Sequence, residues 1–350
     1  MKTLVQSQVC GSHPEVGLVI GERFATEIHQ ALDNYPFFQE RLLPYHHSPE
    51  GQARYQHLVQ LHRTRYPDYL AELEGIAQGA GRPFEELFLV NMRGEYAGHL
   101  REVARGCSDC AVVNGQMAAF GHNEDGSPVF REGLYVVHAQ IDGKPGFTAL
   151  SYPGFLCGNA FGFNANGICF SVDYVRPRRV GLSLGRHFLA RSLLEAISVD
   201  DAIKRVTVPE RASGFSYTIG SVPERRIVHV EVAPKAHYVR EIQGAYFHAN
   251  HYRELDNVEQ IIEPSSRARV ERADVILEEN SVLETTGILS VLGDRMDVVY
   301  PIYRTAKPPD TDATFCTAMF DLDARQLRIY TGHPTQAPGE FIELEILPSL

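Results

Sequence analysis

The hydrophobic pattern of this chain passes from a helical first third to a strand-rich remainder at Arg105-Gly-Cys-Ser108, and that change decides what the chain can fold into. Before it, apolar residues recur at helical spacing in residues 22–32, 55–61 and 66–77. Pro83, followed by Glu85, Glu86 and an apolar run toward Tyr96, marks a helix start, since proline lacks an N–H that the first turn could not use. After it, apolar residues come in short runs between turn residues. Cys110-Ala-Val-Val-Asn-Gly-Gln-Met-Ala-Ala-Phe-Gly121 reads as strand, Asn-Gly hairpin turn and strand. Further strands are expected at 134–142, 147–152, 168–175, 216–220, 226–233, 315–322, 326–331 and 340–346. Helices are expected at 187–197, 198–206, 266–279 and 282–292, with apolar stripes suited to packing on a sheet. Strand runs with helix pairs inserted imply two sheets covered by helices, a layered α/β architecture behind a helical first third.

Six cysteines in 350 residues, at 10, 107, 110, 157, 169 and 316, are too sparse for a disulfide framework, so a reducing, cytoplasmic setting is expected. Cys157, Cys169 and Cys316 read as core residues. The net charge of −11 argues against a general nucleic-acid binder, and the densest basic run, Arg176-Pro-Arg-Arg179, reads as a solvated loop. No apolar run approaches the roughly 18–20 residues of a membrane span, and the first ten residues do not read as a signal peptide. No internal repeat or low-complexity tract is present, and Lys307-Pro-Pro-Asp-Thr-Asp312 reads as a connector.

Four features carry chemistry. Cys107, between Gly106 and Ser108, stands at the change of period. Packed at the start of a strand it is a core thiol; if the bond before it is cut, one residue holds both a thiol and an α-amine, nucleophile and base together. Gly106 suits a strained scissile peptide. Gly121-His-Asn-Glu-Asp-Gly126 is either a polar turn or a set in which Asp125 orients the new amine beside Asn123. Asn250, in His248-Ala-Asn-His251, either serves a turn or donates to a developing oxyanion. Cys107-Ser-Asp-Cys110 is also a C-x-x-C pair, open to a redox or zinc reading with His248 and His251 as further ligands.

The run from Gly106 to Asp125 resembles the start of the mature chain in the acyl-coenzyme A:6-aminopenicillanic acid acyltransferase family of cysteine N-terminal-nucleophile (Ntn) hydrolases, with the asparagine sixteen and the aspartate eighteen residues after the cysteine. Leu89-Val-Asn-Met-Arg-Gly-Glu95, Tyr152-Pro-Gly-Phe-Leu-Cys-Gly-Asn-Ala-Phe-Gly-Phe-Asn-Ala-Asn-Gly167, His248-Ala-Asn-His251 and Phe320-Asp-Leu-Asp-Ala-Arg-Gln-Leu-Arg-Ile-Tyr-Thr-Gly-His-Pro334 resemble further family segments, in order, over about residues 15–347. The resemblance implies a four-layer αββα sandwich. Residues 1–106 would be a helical segment that stays bound after self-cleavage between Gly106 and Cys107, and 107–350 the catalytic domain. It implies Cys107 as nucleophile, Asn250 as oxyanion donor, and Asn123 and Asp125 as the groups that position amine and thiol.

Two departures narrow the substrate. Glu124 stands where tryptophan is common in the family, and Gly121-His-Asn-Glu-Asp125 is closer to the form of N-β-alanyldopamine and carcinine hydrolases. Ala313-Thr314 stands about where penicillin acyltransferases carry Ser-Arg, and the nearest preceding arginine is Arg304. The expectation is therefore an amidase for a small N-acylated amine, with neither metal nor cofactor, neither nucleic acid nor membrane as partner, and a homodimer open. An acyl-CoA-dependent acyltransferase is the alternative. Glu124 or Asp173 would meet a β-alanyl ammonium, and Phe161, Phe163 and Tyr174 would line the amine side.

Overall fold

The computed structural model describes residues 4–97, 100, 106–279, 284–336 and 340–347. Arg105, at the change of period, and residues 282–283 of the last expected helix lie outside the described residues. The first third holds α1 (His13–Arg23), α2 (Ala25–Asp33), α3 (Leu43–His46), α4 (Pro49–Arg65), α5 (Pro67–Ala80), α6 (Phe84–Asn91) and α7 (Arg93–Tyr96). It also holds one strand that the helical reading missed, β1 (Val5–Gly11). The hairpin at Asn114-Gly115 joins β2 (Ser108–Val113) to β3 (Ala118–Gly126), and Asn114 Oδ1 accepts from the Gln116 and Met117 N–H groups to close it. Then follow α8 (Pro128–Arg131), β4 (Tyr135–Ile141), β5 (Phe147–Ser151), β6 (Phe161–Asn164), β7 (Ile168–Tyr174), α9 (Arg186–Leu193) and α10 (Val199–Val206). The rest is β8 (Phe215–Ser221), β9 (Arg226–Ala233), β10 (Ala236–Glu241), β11 (Gly244–His248), α11 (Pro264–Glu279), α12 (Thr285–Leu292), β12 (Ala313–Asp321), β13 (Gln326–Tyr330) and β14 (Phe341–Glu345).

The strands form an eight-stranded sheet, β1-β4-β5-β6-β7-β8-β9-β10, and a six-stranded sheet, β11-β2-β3-β12-β13-β14. β1 pairs in parallel with β4, Val5 opposite Tyr135, so the first third contributes an edge strand to the large sheet as well as helices. The sheets face each other across a core that includes Phe120, Phe161 and Phe320, the rings of Phe120 and Phe320 stacking at 4.5 Å. α11 and α12 cover the outer face of the six-stranded sheet through a separate apolar layer with Cys110, Val112, Ala119, Phe247 and Met319. α1, α9 and α10 cover the eight-stranded sheet. The layers are therefore α, β, β, α.

The first third is tied in tightly. α1 and α5 cross so closely that a Cβ on Gly17 would sit 2.0 Å from the Glu72 carbonyl oxygen, and one on Gly79 would sit 2.1 Å from that of Leu18. Only glycine permits that approach. Beneath the crossing, buried Glu72 accepts from Arg191 Nη2 of α9 at 2.8 Å and meets His13 Nδ1 of α1 at 2.8 Å.

Candidate active site

Cys107 immediately precedes β2, and strand alternation sends its thiol, with Asp109 and Ala111, toward the other sheet, while Ser108 and Cys110 face the helices. The thiol lines a pocket of about 100 Å³ with Glu124, Phe130, Tyr152, Phe155 and Tyr174 among its walls. Cys110 is buried under α12 on the opposite face, so the C-x-x-C pair does not converge, and both thiols are free. His251 Nδ1 meets Ser266 and His248 Nδ1 meets Asp173, so neither completes a set with the two cysteines.

The peptide on either side of Cys107 is clamped by buried cations. Arg304 Nη1 donates to the Gly106 carbonyl oxygen at 3.1 Å, and Arg269 Nη1 donates to that of Cys107 at 2.7 Å. Arg269 Nη2 also donates to Asn250 Oδ1 at 2.5 Å, and Asn250 Nδ2 donates to the Tyr174 carbonyl at 3.0 Å. This presses the Asn250 carboxamide against Gly106, where a Cβ would lie 1.9 Å from Nδ2. Burial, with the Arg304 cation nearby, lowers the Arg269 guanidinium to about 10. Arg304 is held in turn by Asp310 and by Asp312.

Asp125 lies beside this clamp. Its Oδ1 accepts from Thr314 Oγ1 at 2.7 Å, whereas its Oδ2, 3.9 Å from Arg304 Nη1, is buried without a hydrogen-bond donor. Burial raises the Asp125 carboxyl to about 7, against the pull of Arg304 and Arg269. The Cys107 Sγ points at the Asp125 carbonyl oxygen, 3.9 Å away.

On the inter-sheet side the thiol meets His122 and Glu124, whose nitrogen and oxygen lie within 4.8 Å of the sulfur and of each other. His122 Nδ1 bonds Asp109 Oδ1 at 2.7 Å and its Nε2 bonds Glu124 Oε2 at 2.9 Å. Tyr152 donates to the other Glu124 oxygen at 2.5 Å, and Ser171 and Thr218 donate to Asp109. Burial opposes a charge on His122, yet Asp109 and Cys107 hold it well above its ordinary value, which favours the cationic ring beside the thiol. Burial and then Glu124 push the thiol well up, and His122 pulls it back.

The structure thus brings Cys107, Asp125, Asn250 and Glu124 together. Asn123 points the other way. Its amide donates to the Leu292 and Ile302 carbonyls at 2.8 and 3.3 Å and accepts from Thr317, anchoring the segment after α12 on the helix side of β3. Of the expected pocket walls, Tyr174 is present, packed under the Arg186 guanidinium at 4.5 Å. Phe161, Phe163 and Asp173 are not among the walls, because their strand positions turn them into the inter-sheet core, where Phe161 abuts Phe320 and Asp173 bonds His248. Phe130, Tyr152, Phe155 and Phe215 supply the aromatic surface instead.

His122, Asp109, Arg269, Arg304 and Thr314 were not singled out from the sequence as site residues. Strand parity was the available signal for the first two: once β3 is a strand, His122 and Glu124 share one face and Asn123 and Asp125 the other. Arg269 and Arg304 come from remote segments with no local signature.

A family model described as acyl-coenzyme A:6-aminopenicillanic acid acyl-transferase matches residues 112–336. The beta-alanyl-dopamine/carcinine hydrolase of Drosophila melanogaster is 27% identical over 360 residues, 93% of this chain and 92% of that protein. The 40 kDa form of the acyl-coenzyme A:6-aminopenicillanic-acid-acyltransferase of Emericella nidulans is 26% identical over 251 residues, 69% of this chain and 67% of that one. The solved structure of the N-acylethanolamine-hydrolyzing acid amidase ortholog of Caenorhabditis elegans is 13% identical, covers 62% of this chain and 92% of its own, and has a TM-score of 0.45. The family match starts at residue 112, within β2 and five residues past Cys107, and runs through both sheets to the loop past β13, well over half of the sequence. The family model matches well over half of a chain whose two sheets are each covered by helices, and the chain belongs to the acyl-coenzyme A:6-aminopenicillanic acid acyltransferase family.

Proposed function

We propose that this protein is a self-processing amidase that cuts its own chain between Gly106 and Cys107 and then uses Cys107 on a small N-acylated amine. The observation that carries the reading is the clamp around Cys107: Arg304 on the Gly106 oxygen of the bond to be cut, Arg269 on the Cys107 oxygen of the next peptide and Asn250 against the Gly106 Cα. In the first stage the Cys107 sulfur adds to the Gly106 carbonyl carbon while Arg304 supports the charge developing on its oxygen. The C–N bond breaks, leaving a thioester and a new α-amine. Water then releases the 1–106 chain with a carboxylate end and returns the thiol. The unpartnered Oδ2 of Asp125 is the acceptor left for the new α-ammonium. β1 in the large sheet and the Glu72–Arg191 pair would keep the two chains together.

In the second stage the departure of Gly106 opens the place it holds beside Asn250. The substrate carbonyl takes that place, with Asn250 Nδ2 as oxyanion donor. The His122 imidazolium favours the attacking thiolate. The α-amine of Cys107, whose ordinary value is about 7.7–8.0, protonates the leaving amine, and water resolves the acyl-thioester. Asn123 takes a supporting part, fixing the segment after α12 against β3. We assign a β-alanyl acyl group, with Glu124 and Asp125 near its ammonium and the aromatic walls around the amine.

Acyl transfer from an anionic donor is the second reading. A cavity of about 540 Å³ shares Arg93, Tyr174 and Arg186 with the thiol pocket and is also lined by Arg54, Arg176, Arg178 and Arg179. That is a cationic wall on a chain of net charge −11.

Intact-mass measurement tests the first stage. The protein should appear as chains 1–106 and 107–350, and Cys107→Ala as one chain. An alanine variant that still splits at this bond would overturn self-cleavage. Release of dopamine or histamine from β-alanyl conjugates, followed without coenzyme A, tests the second stage. Turnover confined to acyl-CoA or long-chain N-acyl amines would remove the β-alanyl assignment and leave the Cys107 chemistry standing.

A further inference from the structure

At one end of the sandwich the two sheets meet through three side chains that the proposed chemistry does not use. His229 and Glu231 lie two apart on β9 and share its inner face, and His248 ends β11 in the other sheet. All three are buried, at 1%, 0% and 0% exposure. One nitrogen from each imidazole and one Glu231 oxygen lie within 4.8 Å of one another.

Hydrogen bonding fixes which nitrogens face inward. Thr218 Oγ1 lies 2.6 Å from Asp109 Oδ2 and donates to it, because an ionised carboxylate only accepts. The same hydroxyl lies 3.1 Å from His229 Nδ1, and with its one hydrogen committed it must accept there. His229 therefore carries its proton on Nδ1, and its Nε2 is a bare lone pair, buried with no hydrogen-bond partner. His248 Nδ1 donates to Asp173 Oδ2 at 2.8 Å, with Ser216 Oγ at 3.1 Å, and its Nε2 likewise has no hydrogen-bond partner. Glu231 is fixed by three backbone N–H groups, from Arg253 to Oε1 at 2.6 Å and from Glu254 and Leu255 to Oε2 at 3.0 and 3.1 Å. Oε1 keeps a lone pair, 3.4 Å from His248 Nε2.

A proton shared between His248 and Glu231 would leave His229 Nε2 bare. A divalent cation satisfies all three atoms. Each ring already has its far N–H held by an acceptor, His248 by Asp173 and His229 by Thr218 backed by Asp109, the outer support that orients metal-bound histidines. The 3.4 Å between Nε2 and Oε1 matches the edge of a tetrahedron, about 3.3 Å, built on metal–ligand bonds of about 2.0–2.1 Å. Two imidazoles and one carboxylate, with water in the fourth position, form a ligand set suited to zinc.

We propose that His229, Glu231 and His248 form a buried zinc site that ties β9 of the large sheet to β11 of the small one. The site is independent of the amidase reading, although it fixes the strand end that carries Asn250, two residues beyond His248. The test is metal analysis of tag-free protein, both as purified without chelator and after refolding from denaturant with Zn²⁺ or Co²⁺. About one zinc per chain, surviving gel filtration, is expected, and refolding with Co²⁺ should give the visible absorption of a tetrahedral site. His229→Gln should lose the metal while keeping a folded circular-dichroism spectrum. Folded wild-type protein without stoichiometric metal in both preparations overturns the proposal and leaves the gap to water. So does undiminished zinc in both His229→Gln and His248→Gln. Because the wild-type measurement needs no variant, a misfolded substitution does not remove the test.

Discussion

Replacing Gly106 with alanine drives a methyl group into space that the Asn250 carboxamide holds. The added carbon would sit 1.9 Å from Nδ2 and 2.3 Å from Cγ of Asn250. Comfortable contact between such atoms lies at about 3.5–4.0 Å, so one side must retreat by more than ~1 Å. The carboxamide is the part with a free torsion, but Tyr174 and Arg269 hold it at its two ends. Swinging it away loses one neutral hydrogen bond, worth ~0.5–1.5 kcal/mol, and one to a charged group, worth ~1.5–3 kcal/mol, a total of roughly 2–4.5 kcal/mol. Because residue 106 departs with the first chain in the proposed chemistry, the displacement bears on self-cleavage rather than on later turnover. Stability is best compared by urea unfolding of Cys107→Ala with and without Gly106→Ala, because neither protein can cleave. Self-cleavage of Gly106→Ala is then timed by intact mass. In an Asn250→Gly background, where both hydrogen bonds are already gone and the clash is relieved, Gly106→Ala should cost much less. A Gly106→Ala protein that cleaves like the parent, with an unchanged urea midpoint, would refute the clamp.

Asp125→Asn, made in Cys107→Ala, tests the buried carboxyl. Its folded value of about 7 lies above its unfolded value, so the folded state binds the extra proton and the parent loses stability as pH rises from about 4 to 7. The asparagine variant should gain on its parent by up to a few kcal/mol over that window in urea titrations, and parallel curves would refute the assignment. His122→Gln removes the cation beside the thiol, so alkylation of Cys107 at neutral pH should slow and its pH profile move upward; an unchanged profile would detach His122 from the thiol. Cys110→Ala should cleave normally at a stability cost of about 1 kcal/mol for a small loss of core volume, and lost cleavage with retained folding would revive the C-x-x-C pair.

Much of the architecture was legible because it follows from period and punctuation. The Asn114-Gly115 hairpin, the closing β12–β13 pair and the helices over both sheets all follow from local patterns. β1 was not legible, since Val5-Gln-Ser-Gln-Val9 alternates too briefly beside a helical run and is stabilised by β4, far along the chain. β11 was legible only as a strand end leading to Asn250, because Gly244-Ala-Tyr-Phe-His248 is short and owes its place to pairing with β2. Within the site, Cys107, Asp125 and Asn250 were reachable from motifs. The roles split between Asn123 and Glu124 needed the strand's facing, and Phe161 and Phe163 were misplaced because an aromatic in a strand looks the same in sequence whether it lines a pocket or fills a core.

The polar groups between the sheets do not balance. Asp109, Glu124, Asp173 and Glu231 face His122, His229 and His248 there, all of them buried. Burial and the neighbouring His248 hold His229 down to about 3, so at most two imidazolium ions stand against four carboxylates. A dry region does not tolerate such an excess unpaired; either protons stay on or cations come in. Tyr152 eases one end by donating to Glu124. A zinc ion at His229, Glu231 and His248 would correct the other end, and the α-ammonium of Cys107, created only by cleavage, would add positive charge where Asp125 has an oxygen without a donor. On this argument the precursor is electrostatically incomplete at the bond it cuts. The mature protein should then hold its carboxylates ionised to lower pH than Cys107→Ala does, a difference visible as fewer protons taken up on acid titration from neutral pH to about 5.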